Sequence, residues 1–206
     1  FGNEVVGVDS TELDLGDEFS IKQFLDKHGK DFEDCVFQMV NAEANRLGDT
    51  AEKVGNTTGI IKNCKKGDTL IHLGEDSAFP KAIIVVEAKQ DVSYNLKKAL
   101  VELDLAIKNR EAQCGIFVFS KRTAPDDIEI LARHGSLIVV VWDYEDKNTD
   151  MNLKLAISVA RALCTKKALE REGIAVDFSG IEAAILDIKA QIEHLGEIAT
   201  WRETIK

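Results

Sequence analysis

Three apolar runs do most to limit the folds open to this chain. Residues 82–86 (Ala-Ile-Ile-Val-Val), 114–119 (Cys-Gly-Ile-Phe-Val-Phe) and 137–142 (Leu-Ile-Val-Val-Val-Trp) are strand-length and rich in β-branched and aromatic side chains. Their apolar residues fall on both faces, so each run is expected to be covered on both sides, as in a sheet flanked by helices. The stretches around them carry a helical period. Phe32, Cys35, Val36, Met39 and Val40 form one face of a helix starting near Lys30, with Gly48 as its expected C-cap. Leu96, Leu100, Leu103 and Ile107 form the stripe of a second helix over residues 94–111, with Ser93 as its expected cap. Residues 125–134 are expected to be a short helix ended by Gly135, and residues 151–169 a helix with Leu155, Val159 and Leu163 on one side. A strand at 68–73 precedes the strand at 82–89 across a polar turn, which predicts a hairpin. Residues 59–61 read as either an edge strand or a loop. Together the elements predict an α/β fold: a mixed sheet with helices on both faces.

The chain has 206 residues, which suits one good-sized domain able to bury its own core without disulfides. Residues 1–19 are acidic and turn-rich and are expected to form an arm. Ser20 can cap a short helix over 21–27. The main α/β domain is expected over 20–170. Residues 176–206 are expected to form a C-terminal helix, because Ile181, Ile185, Ile188, Ile192 and Leu195 alternate steps of four and three. This seam of about two heptads is coiled-coil-like; it could pack on its own domain or pair with a second copy, making a homodimer the candidate assembly. The first residue is Phe1 and the start is abrupt, so the chain is expected to be a piece of a longer protein.

The cysteines Cys35, Cys64, Cys114 and Cys164 form no C-x-x-C pair, and the histidines do not cluster with them, which argues against zinc. Nothing points to an oxidising compartment, and no apolar run is long enough for a secretory or membrane segment. A cytoplasmic protein is expected, with no membrane partner. A net charge of −10 argues against a domain that grips nucleic acid through a broad basic surface. It leaves open a local basic groove, or an enzyme whose acids hold cations.

The chemistry-bearing residues gather at the strand ends. Glu87 and Lys89 stand two apart on one strand, so they point to the same face, roughly 6–7 Å apart by strand rise. Asp68, preceded by Gly67, begins the neighbouring strand and can reach the same spot. Two carboxylates and an ammonium would then converge beside a buried sheet. Such an oxygen set suits Mg2+, which keeps several of its waters, and the Ala88 carbonyl could be a further ligand.

The pattern Asp68, about twenty residues, then Glu87-Ala88-Lys89 after an apolar run resembles the PD-(D/E)XK, or restriction-endonuclease-like, nuclease superfamily. The element order from about Lys30 to Phe119 is similar to that family's core, with residues 59–63 standing for its first strand. The resemblance implies a restriction-endonuclease-like mixed sheet. It implies that Asp68 and Glu87 bind Mg2+ or Mn2+ and that Lys89 assists the attacking water. An accessory acid on the first helix falls on Glu33. A Gln-x-x-x-Tyr element after the lysine, found in one branch of the family, is read as absent here, with no such glutamine before Tyr94, which sets the chain apart from that branch but not from the superfamily. The implied activity is metal-dependent hydrolysis of DNA phosphodiesters, in restriction or repair. The alternative is a catalytically silent nuclease-like module that binds a partner or scaffolds an oligomer. Lys65, Lys66, Arg110, Lys121 and Arg122 are the cations that could meet DNA phosphates. Glu102 and Asp104 are expected to face solvent, and Trp142 to pack on the core.

Overall fold

The computed structural model describes residues 32–173, together with Ala183, Asp187 and Ala190 in a further helical stretch. The arm at 1–19, the short helix at 21–27 and the packing of the heptad seam lie outside the described residues.

Helix α1 (Phe32–Arg46) is followed by strands β1 (Thr50–Lys53), β2 (Thr69–His72) and β3 (Ile83–Lys89). Helix α2 (Leu96–Arg110) leads to β4 (Cys114–Ser120), then β5 (Leu131–His134) and β6 (Leu137–Trp142). A 3-10 turn at Lys147–Thr149 opens helix α3 (Asp150–Arg171). The six strands form one open mixed sheet in the order β1-β2-β3-β4-β6-β5. The first three are an antiparallel meander, β3, β4 and β6 run parallel, and β5 returns antiparallel on the far edge. The expected α/β fold with helices on both faces is therefore present.

Alternate side chains of the central strands feed two separate cores, as the two-residue period of a strand requires. Ile84, Val86, Ala88, Ile116, Val118, Ile138 and Val140 pack beneath α1 and α3. Val85, Phe117, Phe119 and Val139 pack on the other face against Ala99, Leu103 and Ala106 of α2. The three apolar runs thus owe their unbroken hydrophobicity to burial on both sides. Three of the cysteines, Cys35, Cys114 and Cys164, are buried in the first core.

Three local expectations are corrected. The first strand of the meander is Thr50–Lys53, not residues 59–63; residues 59–61 take the loop alternative. Polar and largely exposed on the sheet edge, β1 carries no apolar run by which it could be read. Residues 125–134 form no helix. Their last four residues are β5, which folds back on β6 through the turn at Gly135 (φ 67°). Pairing along the open edge of β6 outweighs the weak helical spacing there. Helix α2 is capped by Asn95, whose side chain accepts from the Lys98 amide at 3.0 Å, rather than by Ser93. The C-cap of α1 falls at Gly48 as expected, with φ 76°. Trp142 is buried, its ring 6.0 Å from Phe32 and its Nε1 donating to Asp150 at 2.9 Å.

Candidate active site at the end of the third strand

The alternation of β3 sets the site. Val85 points into the α2 core, so Glu87 and Lys89, two and four residues on, face α2 as well. Glu87 is only 2% exposed at the end of an otherwise apolar strand. Its Oε2 accepts from the Gly67 amide at 2.6 Å. One residue later Asp68 Oδ2 accepts from the Ala88 amide at 2.8 Å, while the Asp68 amide donates to the Val86 carbonyl at 3.0 Å. The expected convergence of Asp68, Glu87 and Lys89 is thus present, with the two acids joined through reciprocal backbone bonds between neighbouring strands. Gly67 is required at this corner. It has φ 97°, and a Cβ there would lie 2.8 Å from Val85 Cγ2.

The loop carrying Gly67 and Asp68 is held by the last turn of α2. Asn109, fully buried, donates from Nδ2 to the carbonyls of Cys64 and Lys66 and accepts from the Ile61 amide. Arg110 is 8% exposed, and its guanidinium donates to the carbonyls of Val54, Thr57, Lys65, Lys66 and Gly67. Arg110 is therefore not a phosphate contact, which corrects that expectation. Its donors satisfy loop carbonyls that no strand satisfies, those of Val54 and Gly67 at buried positions. The functional weight of Asn109-Arg110 is to fix the backbone beneath Asp68.

A fourth charged group joins from α2. Glu102, expected in solvent, has a side chain only 10% exposed. It accepts from Lys66 Nζ at 2.5 Å and from the Tyr94 hydroxyl, and lies 3.4 Å from Lys89 Nζ. Glu87 Oε1 is 3.9 Å from both ammonium groups. Lys89 also sits 5.1 Å from the Tyr94 ring centroid. The sequence signal for Glu102 was present but faint. It stands one residue before Leu103, at the border of the buried stripe of α2. Asp104, by contrast, is exposed and pairs with Lys108 as a surface residue would.

The titration of these groups follows from crowding charge in a dry corner. Burial, then the charge of Asp68 and a shared hydrogen bond with Glu102, push Glu87 up to about 9. Burial likewise raises Asp68, against the pull of its Ala88 hydrogen bond and of Lys89. Burial works to raise Glu102 too, but hydrogen bonds from Glu87, Lys66 and Tyr94 overcome it and hold that carboxyl down to about 2. Burial disfavours the Lys89 ammonium, yet the carboxylates of Glu102, Glu87 and Asp68 outweigh it and raise its value. Tyr94 is pushed up to about 12 by burial and by its bond to Glu102. Of the two, Glu87 is the carboxyl that keeps its proton more readily and Glu102 the one that ionises more readily.

The remaining expected residues scatter. Glu33 is exposed in the first turn of α1, the helix layer on the opposite face of the sheet from Glu87 and Lys89. Lys65 is exposed on the loop, while Lys66 turns inward to Glu102. Lys121 pairs with Asp146 at 3.8 Å, and Arg122 pairs with Glu145 and lies over the Tyr144 ring. Gln90 stands four residues before Tyr94, so the Gln-x-x-x-Tyr spacing is in fact present in Gln90-Asp91-Val92-Ser93-Tyr94.

Oxygen ligands for a divalent cation are available from Asp68, Glu87 and the Ala88 carbonyl. The donor chemistry fits Mg2+, because the ion takes oxygen ligands and a cation beside Glu87 would offset the burial and the Asp68 charge that raise it. Among the described residues, no group of three or more His, Cys, Asp or Glu side chains is placed to hold a metal, and Glu102 is committed to the two lysines. No described helix is long and apolar enough to cross a membrane.

No protein-family model matches the chain, and no curated protein matches it. One solved structure is similar, a refined half-complex from a tetradecameric assembly of Thermococcus gammatolerans McrB AAA+ hexamers with bound McrC. The identity is 13% and the TM-score 0.43, over 62% of this chain and 32% of that one. A likeness that slight carries no argument about fold or function.

Proposed function

We infer that this chain is a Mg2+-dependent nuclease built on a restriction-endonuclease-like core. The observation that carries the reading is a buried carboxyl, Glu87, with a second carboxylate and an ammonium beside it at the end of a central strand. A protein fold gains nothing in stability from two adjacent acids in a dry corner, and such arrangements mark functional sites. Asp68, Glu87 and the Ala88 carbonyl are the metal ligands. Mg2+ held there supplies Lewis-acid chemistry, acidifying water and neutralising charge on a DNA phosphodiester. Glu87 must give up its proton to bind the ion. Lys89, kept charged by Glu102, orients the attacking water and stabilises the negative charge that develops on the phosphoryl oxygens. Lys66, on the other side of Glu102, offers a second cation to the same phosphate. Arg110 and Asn109 act at one remove, by holding the loop that carries Asp68. Restriction or repair of DNA is the process such an activity would serve.

Cleavage of single- and double-stranded DNA in Mg2+ and in Mn2+ tests this directly. The wild type is expected to cut, and Asp68→Ala and Lys89→Ala to lose cutting while keeping wild-type circular dichroism. Undiminished cleavage by either variant would rule the assignment out.

The net charge of −10 and the pairing of Lys121 and Arg122 with acids favour a second reading, a silent module of the same fold that binds a partner or forms a homodimer through its C-terminal segment. That reading requires that wild-type protein take up neither Mg2+ nor Mn2+ in a calorimeter.

A further inference from the structure

Helix α2 buries one stripe, Ala99, Leu103 and Ala106, against the sheet. It leaves a second apolar stripe in water. Val101 is 65% exposed and Leu105 38% exposed, four residues apart on one side of the helix. These two line a cleft of 460 Å3 together with Lys66, Tyr94, Lys97, Lys98 and Glu102. The cleft is continuous with the candidate site, because Lys66, Tyr94 and Glu102 belong to both. Its lining is basic in an acidic chain: three lysines face one carboxylate, and that carboxylate is already held by Lys66 and the Tyr94 hydroxyl. Lys97 is exposed, and Lys98 reaches the Ser93 carbonyl at 2.6 Å, with its ammonium 5.8 Å from the Tyr94 ring.

We propose that this cleft seats an unpaired nucleic-acid strand and delivers its backbone to Lys89; the proposal rests on the nuclease reading of the adjacent site. Two features point to a single strand. The lining lysines offer charge to backbone phosphates, which is the sequence-independent part of strand binding. The exposed aliphatic side chains and the Tyr94 ring need apolar faces to cover them, and bases present such faces only when unstacked from a duplex. A duplex would bring phosphates to the lysines but leave Val101 and Leu105 facing a charged backbone. Continuity with the Glu102–Lys66–Lys89 cluster favours a strand over an acidic peptide, because a strand lying here carries phosphodiesters up to the paired carboxylates.

The test is fluorescence anisotropy with a dye-labelled twelve-nucleotide oligothymidylate, and with a duplex of equal length, in EDTA so that nothing is cut. The intact chain is expected to bind the single strand about tenfold or more tightly than the duplex, with affinity falling as salt rises. The double variant Lys97→Glu, Lys98→Glu is expected to weaken single-strand binding about tenfold or more, and Val101→Glu to weaken it as well. Lys121→Glu, away from the cleft, should leave it within about twofold. All four positions are exposed, and thermal melts check that each variant folds. Equal or tighter binding of the duplex, no strand binding by the wild type, or wild-type affinity in the double variant would each overturn the proposal. Strand binding that depends on Lys97 and Lys98 without metal-dependent cleavage keeps the cleft and removes the nuclease. Cleavage that needs Asp68 but ignores Lys97 and Lys98 keeps the nuclease and removes the cleft. Displacement of the strand by an acidic peptide that binds more tightly would reassign the cleft to a protein partner.

Discussion

The two faces of the sheet are built for different ends. The face under α1 and α3 is apolar along its length, from Ile71 through Val86 and Val118 to Val140. The face under α2 begins the same way, with Val85, Phe117 and Phe119, and then breaks into Glu87, Lys89, Glu102 and Lys66 at one end. Both faces come from the same strands, one residue out of phase. The first shows what this chain does when stability alone is at stake. The second spends the end of a buried strand on charges that packing does not need, which is the usual mark of a working site.

The difference is sharpest when one residue on each face is removed. Ile157→Ala, on α3, should cost about 2–5 kcal/mol of unfolding free energy, by burial lost and cavity left. Cleavage per folded molecule should not change. Glu87→Ala should do the reverse, lowering cleavage by about 10^3-fold, in the range of lost electrostatic stabilisation, with a stability loss well below that of Ile157→Ala even though the Gly67 amide loses its partner. Chemical denaturation and initial rates on both variants check this, and a stability loss in Glu87→Ala as large as that of Ile157→Ala would erase the distinction between the faces.

Arg110→Ala falls between the two. It strands carbonyls of the Asp68 loop, so it should cost about 1–3 kcal/mol and also slow cleavage. A variant that melts early but cuts at the wild-type rate would show that the loop keeps its place without the guanidinium.

The acidic end also makes the fold sensitive to pH in two opposite directions. Glu87 is raised in the fold from an ordinary 4.5 to about 9. The fold therefore binds its proton more tightly than the unfolded chain does, and that contribution is present at low pH and lost as pH rises toward about 9. Glu102 is lowered to about 2, so its contribution is present above the ordinary glutamate value of 4.5 and lost as pH falls from there through about 2. Glu87→Gln, which keeps a hydrogen-bonding group but cannot ionise, should be more stable than wild type at pH 9 by about 1–3 kcal/mol. At pH 5 it should be nearly equal to wild type. Melting curves across that range read the effect; a gap that is constant with pH would mean that Glu87 does not titrate there.

The smallest effects are expected at Lys121 and Arg122, which pair with acids at the surface. Lys121→Ala and Arg122→Ala should each change stability by less than about 0.5 kcal/mol, and should leave cleavage unchanged. A clear loss of substrate binding in either would extend the interface across the β4–β6 end of the sheet.

What the sequence made legible follows from the same physics. Strands buried on both sides announce themselves as unbroken apolar runs, so β3, β4 and β6 and the parity of Glu87 and Lys89 could be read directly. Edge strands carry no such signal. Thr50–Lys53 is a polar tetrapeptide, and Leu131–His134 is a strand only because β6 offers it an open edge. Residues that act through contacts distant in sequence were the hardest to assign. Arg110 looks like a solvated helix end until the loop at 54–67 folds beneath it. Glu102 looks like one more surface acid until Lys66, Lys89 and Tyr94 close around it.

The central claim is that Asp68 and Glu87 share a divalent cation. Calorimetric titration of Mn2+ into wild type and Glu87→Gln at pH 7, in two buffers of different ionisation enthalpy, tests it most directly. The account predicts saturable binding to the wild type with release of about one proton, because Glu87 must ionise to coordinate, and loss of that binding in the variant. Mn2+ binding that survives Glu87→Gln, or a wild type that takes up no metal, would contradict it.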